Sequence, residues 1–158
     1  MERVNRILNN FQYQEYFNKI QSLETNRAFC GHTMEHFLDV ARLSFIMVLK
    51  AGLEIDQELV YATALLHDIG RYLEYTNETP HHEGSAIIAR EILPECGFSE
   101  EEQAVIIEAI INHRQQQSEK TFSMIFYQAD KLSRNCFSCP VQAQCNWPLE
   151  KKNMKVTI

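Results

Sequence analysis

Two side chains with metal or acid–base chemistry stand next to each other in this chain, His67 and Asp68, at the end of the apolar run ALLHDIG. An imidazole and a carboxylate placed after so apolar a stretch should lie at the edge of a core. Burial there is costly unless an oppositely natured partner meets them, and a metal cation is one such partner. Further residues of the same chemistry follow at helix-scale intervals. His36 lies 31 residues before His67, His82 lies 14 after Asp68, His113 lies 31 after His82, and Asp130 lies 17 after His113. A helical bundle can aim such side chains at one point from several helices. Imidazoles mixed with carboxylates suit Fe, Mn, Co, Ni or Zn better than Ca²⁺. Cations stand beside these positions: Arg71 one turn past His67, Lys131 next to Asp130, and Arg114 next to His113. Each could clamp the oxygens of a phosphate.

The elements that must position these groups read as helices. Val4, Ile7, Leu8, Phe11, Phe17 and Ile20 form one stripe over 4–23. Phe37, Val40, Ala41, Leu43, Phe45 and Val48 form another over 33–51, with Thr33 as N-cap and Gly52 as stop. Asp56 caps the segment 57–69, which is apolar nearly all round, as a central core helix would be. The pattern over 82–93 stops before Pro94. Ser99 and Glu102 form a capping box ahead of 100–113, and 119–134 makes a last long helix. YLEYT at 72–76 is the nearest approach to a strand and is too short to build a sheet, while TNETP at 76–80 is a loop. The expectation is an all-α bundle of about six helices over residues 1–134, with an irregular tail over 135–158 packed on it.

Composition agrees. The chain has 158 residues, 45% hydrophobic and 23% charged, which is an ordinary globular mixture. Five Gly and four Pro are few for this length and favour helices joined by short loops. A net charge of −6 gives no general basic surface, so duplex nucleic acid is not the expected partner. No apolar run approaches the roughly 20 residues of a membrane span. The N-terminus lacks the apolar core of a signal peptide, so the expected location is cytoplasmic.

The ordered blocks HFLDVAR at 36–42, ALLHDIGR at 64–71, HEGSAIIA at 82–89, INHR at 111–114 and QADKLSR at 128–134 resemble the HD-domain superfamily of metal-dependent phosphohydrolases. The resemblance spans roughly residues 30–134. It implies that His36, His67, Asp68 and Asp130 bind one divalent transition metal. It further implies that His82 and His113 extend the site to a second ion, with Asp68 bridging. His81 competes with His82, since neighbours on a helix point apart by about 100°; HEGS matches the family block and selects His82. His32 faces the same side as His36, one turn earlier, with capping of the following helix as its simplest role.

Two cations about 3.5–4 Å apart can hold a bridging water, lower its pKa toward about 7 and neutralise phosphoryl charge. Asp68, Arg71 and Lys131 are then the expected catalytic groups, and the substrate is a small anionic phosphoester such as a nucleotide. Two other readings use the same residues. One is a di-iron oxygenase, which the superfamily also contains. The other is a non-catalytic metal or redox sensor.

The sensor reading draws on the tail, Cys136-x2-Cys139-x5-Cys145, followed by Asn146-Trp147-Pro148. It resembles a subgroup of small bacterial HD proteins ending in CFxC…CNW. Three thiols in ten residues suggest a zinc or iron–sulfur site, a reduced knuckle or a disulfide. Zinc or a cluster wants four ligands, and Cys30 is the candidate fourth. Cys30 lies six residues before His36 and Cys136 six after Asp130, so the two share an end if their helices run antiparallel. Cys96, in a Pro-Glu-Cys-Gly turn, is incidental.

Overall fold

The computed structural model describes residues 1–114 and 121–158. Among these described residues there are eight α-helices: α1 (Glu2–Asn9), α2 (Phe11–Leu23), α3 (Met34–Ala51), α4 (Gln57–Leu66), α5 (Arg71–Asn77), α6 (His81–Glu95), α7 (Glu100–Asn112) and α8 (Phe122–Leu132). Three single 3-10 turns follow, and no strand occurs among the described residues. The fold is all-α.

The additional helices have local causes. The stripe over 4–23 is broken at Asn10, whose backbone is extended and whose side chain accepts from the Tyr13 amide, so it starts α2. The 57–69 segment ends its helix at Leu66, and His67 to Gly70 form a tight turn into α5, which takes up the YLEYT stretch. Pro94 does not end α6; it lies inside its last turn. The start of the 119–134 segment at 119–120 lies outside the described residues. Other signals hold as read. Thr33, Asp56 and Ser99 cap α3, α4 and α7, Ser99 through a complete capping box. Gly52 closes α3 in the left-handed region at φ 69°.

α4 is the central helix. Leu59, Ala62, Leu65 and Leu66 face a core shared with α1, α2, α6 and α7. Val60 and Ala64 face a second core with Val40, Ala41 and Val48 of α3 and Phe122, Ile125 and Phe126 of α8. α3 and α8 run antiparallel: His36 at the start of α3 meets Asp130 at the end of α8, while Val48 and Phe122 share the second core. The tail returns to the bundle through Asn153, whose side chain donates to the Leu132 carbonyl at 2.8 Å.

α1 is tied down by a partly buried ionic clamp. Arg3 Nε donates to Glu58 at 2.6 Å, and its Nη1 donates to both oxygens of Glu102 at 2.7 Å. Burial opposes ionisation of Glu58, but the N-terminal ammonium and Arg3 outweigh it and hold the carboxyl at about 2, against an ordinary 4.5. A depressed carboxyl contributes stability above its unfolded value and loses it as pH falls toward the folded one. Arg3→Ala should therefore cost about 1–2 kcal/mol near neutrality, or ~3–6 °C in Tm. The gap from wild type should narrow below pH 4.5, the ordinary value for Glu58. Thermal melts at pH 7 and pH 3 check this, and a gap that stays constant would contradict the clamp.

Candidate metal centre

The centre forms where α4 ends. Gly70 packs so closely on the first turn of α6 that a Cβ there would lie 2.2 Å from the Ser85 amide nitrogen and 2.3 Å from the His81 carbonyl oxygen. The Gly70 amide donates to Ser85 Oγ at 2.8 Å. Gly84 completes the contact, its Cα facing Gly70. This approach seats Asp68 against the start of α6, while the α3–α8 pair brings His36 and Asp130 in from the other side.

Two buried ligand groups result, both containing Asp68: His36 with His67, and His81 with His113. His67 Nε2 lies 3.3 Å from Asp68 Oδ2 and 3.8 Å from Asp130 Oδ1. His36 Nε2 lies 3.5 Å from Asp130 Oδ1. On the other oxygen, Asp68 Oδ1 has His81 Nε2 at 3.4 Å and His113 Nε2 at 3.7 Å. The two oxygens of one carboxylate thus serve two imidazole sets, the arrangement expected of a bridging ligand.

The other ring nitrogens are engaged. Nδ1 of His67 donates to the Ala64 carbonyl at 2.7 Å and that of His113 to the Ile110 carbonyl. Both histidines cap their helices, so each ring satisfies a last-turn carbonyl that would lack a partner. His81 Nδ1 donates to Glu74 at 2.9 Å. His36 Nδ1 faces Ser133 Oγ at 3.1 Å, whose own proton goes to the Asp130 carbonyl. Each Nδ1 therefore holds a proton and each Nε2 faces inward, as in metal-binding histidines, that of His36 also accepting from Arg134 Nη2 at 2.9 Å.

A metal cation would satisfy the groups left without partners. His67 Nε2 and Asp130 Oδ1 are buried with no hydrogen-bond partner. His81 Nε2 and His113 Nε2 stand 3.2 Å apart, acceptor against acceptor. Burial raises the cost of charge on Asp68, but His67, His32 and Arg71 outweigh it and hold the carboxyl well below its ordinary range. Burial likewise opposes charge on Asp130, which His67 and Lys131 keep ionised. Burial pushes His36 down to about 2 and His81 to about 4, so both rings stay neutral. His67 differs: burial opposes its charge, but Asp68 and Asp130 outweigh it and raise the ring to about 9. A metal would bind there by displacing a proton, while the neutral rings and ionised carboxylates already stand in the form a metal needs.

The motif text selects His82 for this set, whereas the structure directs His81 at Asp68 Oδ1. His81 precedes Gly84 and Ser85 by one turn and so shares the face that Gly70 contacts. His82 is turned aside, partly exposed, with Nε2 4.0 Å from Glu83. The period of α6 relative to Gly84 and Ser85 was the available signal. His32 does not cap α3, a task Thr33 performs; it is buried against Asp68, with Nε2 3.4 Å from Oδ2.

The centre opens into a cleft of about 740 Å³. Arg71 lines it and is tied to Asp68 at 3.2 Å and to Glu74 at 2.6 Å. Lys131 pairs with Asp130 at 2.5 Å. Arg114 also lines the cleft, as does Arg134, which the sequence reading passed over and which donates to His36 Nε2 at 2.9 Å. Cys30, Cys136, Cys139 and Cys145 all border this same cleft as free thiols. The Arg134 guanidinium donates to the Gly31 carbonyl at 3.0 Å, which joins the Cys30 and Cys136 segments. No three cysteine sulfurs lie within 4.8 Å of one another among the described residues. Cys96 is buried in the core.

A helical bundle with this histidine and aspartate set defines the class, and the chain belongs to the HD domain family, whose sequence profile matches residues 33–135. It is 45% identical over 156 residues to an uncharacterized protein of Clostridium beijerinckii, covering 99% of each chain. It is 29% identical over 122 residues to ribonuclease Y of Oleidesulfovibrio alaskensis, covering 77% of this chain but 22% of that enzyme. A predicted HD superfamily hydrolase from an uncultured Thermotogales bacterium shares the fold, with a TM-score of 0.63 and 24% identity over 89% of this chain and 81% of the other. No helix among the described residues is long and apolar enough to cross a membrane.

His81→Ala should lose the ion on the Oδ1 side of Asp68, whereas His82→Ala should keep the full metal content. Elemental analysis of both variants, purified alongside wild type, makes the comparison. Equal loss from both, or loss from His82→Ala alone, would overturn the choice of His81.

Proposed function

We propose that this HD domain is a metal-dependent phosphohydrolase acting on a nucleotide or another small phosphoester. The observation that carries the reading is the pairing of two buried ligand groups on one carboxylate at the floor of a cation-lined cleft. The ligands are His36, His67, Asp68 and Asp130 for one divalent ion, and Asp68, His81 and His113 for another. Bound ions of this kind supply an acidified water and neutralise charge on phosphoryl oxygens. The protein's part is to hold and orient. Arg71 and Lys131 stand beside the ligands, where a phosphate entering the cleft can exchange for their carboxylate partners. The cleft is of a size that accepts a nucleotide.

Protein loaded with Mn²⁺ or Co²⁺ should release inorganic phosphate from some member of a panel of nucleotides and small phosphomonoesters, over many turnovers and without O₂. Asp68→Asn should lower that rate by at least about 100-fold. Arg71→Ala should raise KM by about tenfold, the loss of one charge-assisted pair. Failure to release phosphate from any member, with O₂ consumed by the reduced iron form, would replace the hydrolase by an oxygenase.

The four thiols around the cleft favour one addition, a tail that reports redox state or metal supply to the same site. Their sulfurs are not gathered closely enough for a single zinc, in which neighbouring sulfurs sit about 3.8 Å apart at Zn–S distances near 2.3 Å. Oxidation should therefore remove titratable thiols and change turnover together. Thiol counts and phosphate release before and after mild oxidant test this, with iron, zinc and sulfide analysis beside them. Unchanged turnover after thiol loss would reduce the tail to a packing role.

A further inference from the structure

Glu24 closes α2 and is almost wholly buried, its side chain 7% exposed. It grips His32 twice. One carboxylate oxygen accepts from the His32 amide at 2.8 Å, and the other makes a short contact with His32 Nδ1. Tyr75 donates to the same carboxylate at 2.5 Å, and Arg27 donates to the Tyr75 hydroxyl at 3.0 Å. Gln21 donates to the His32 carbonyl at 2.9 Å. These contacts fix the ten-residue connection 24–33 between α2 and α3 so that one imidazole enters the centre.

His32 meets the same two conditions as the other inward histidines. Its Nδ1 faces an acceptor, so the ring proton sits there. Its Nε2 faces the centre, 3.4 Å from Asp68 Oδ2. That oxygen also faces His67 Nε2, at 3.3 Å. A cation set among these two imidazole nitrogens and the oxygen they share would satisfy all three.

We propose that His32 is a further metal ligand, through Nε2, on the Oδ2 side of Asp68, with Glu24 as the carboxylate that orients it. This rests on the metal-bound reading of the centre. The centre then draws on five imidazoles, and the ion on the His36–His67 side carries three of them. A carboxylate behind the imidazole raises its basicity as a ligand. It also makes Glu24, which lies before the residues matched by the HD profile, a part of the metal site.

The test uses the Co²⁺-loaded full chain. Each ligating imidazole with a protonated Nδ1 gives one exchangeable, strongly shifted proton resonance in NMR. Wild type should show five, His32→Gln four, and His82→Gln five. Glu24→Gln should keep the fifth resonance at a shifted position and weaken cobalt binding by about tenfold in titrations against a chelator. Should His32→Gln fail to fold, the wild-type count and the Glu24→Gln shift still decide the matter. Four resonances in wild type, or five in His32→Gln, would overturn the assignment while leaving the metal centre intact, with His32 then an ion-pair partner of Asp68. A wild-type chain that takes up no cobalt would overturn both.

Discussion

The structure turns on one buried carboxylate. Asp68 is 2% exposed and sits among imidazoles from four directions, with Arg71 at its back. Burying an ionised carboxylate without partners would be prohibitive, so its surroundings must converge on it or the fold fails there. A residue in a turn, at the end of the most buried helix, is well placed for this. α4 fixes its height in the core, and the turn to α5 leaves both oxygens free to face different neighbours.

Convergence is arranged by backbone proximity. Gly70 has ordinary helical dihedrals, so no left-handed demand requires glycine there. What requires it is the start of α6, which leaves no room for a side chain. Gly84 and Ser85 supply the other half of that contact. The HDIG and EGS stretches are therefore one packing unit, and its product is the placement of His81 over Asp68 Oδ1. The antiparallel α3–α8 pair does the same for His36 and Asp130 on the Oδ2 side. Metal-site geometry and core packing are the same contacts seen from two sides.

This explains what could be read from sequence. Caps with a local mechanism, at Thr33, Asp56 and Ser99, were legible because they depend on residues two or three positions away. α4 was legible as the central helix because it has no polar face. The break at Asn10 was not, since an apolar stripe continued on both sides of it. The motif text and the geometry part at His81 and His82 for a related reason: motif text aligns residues, while burial depends on helix phase. Gly84 and Ser85 carried that phase, but only the approach of Gly70 makes it count. His32 was legible as a neighbour of His36 and nothing more, because its partner Glu24 lies on a helix whose docking the sequence does not state.

The inward histidines share one design despite different backbone settings. Two use a last-turn carbonyl, one a serine hydroxyl, and two a glutamate, yet each has Nδ1 occupied and Nε2 turned inward. The choice of acceptor tunes each ring, since a carboxylate pulls more strongly on the Nδ1 proton than a carbonyl does. His32 and His81, the rings held by glutamates, flank the two oxygens of Asp68 from opposite sides. On the proposed two-ion reading, their stronger donation would balance a carboxylate shared between the ions, which gives each less charge than one it held alone.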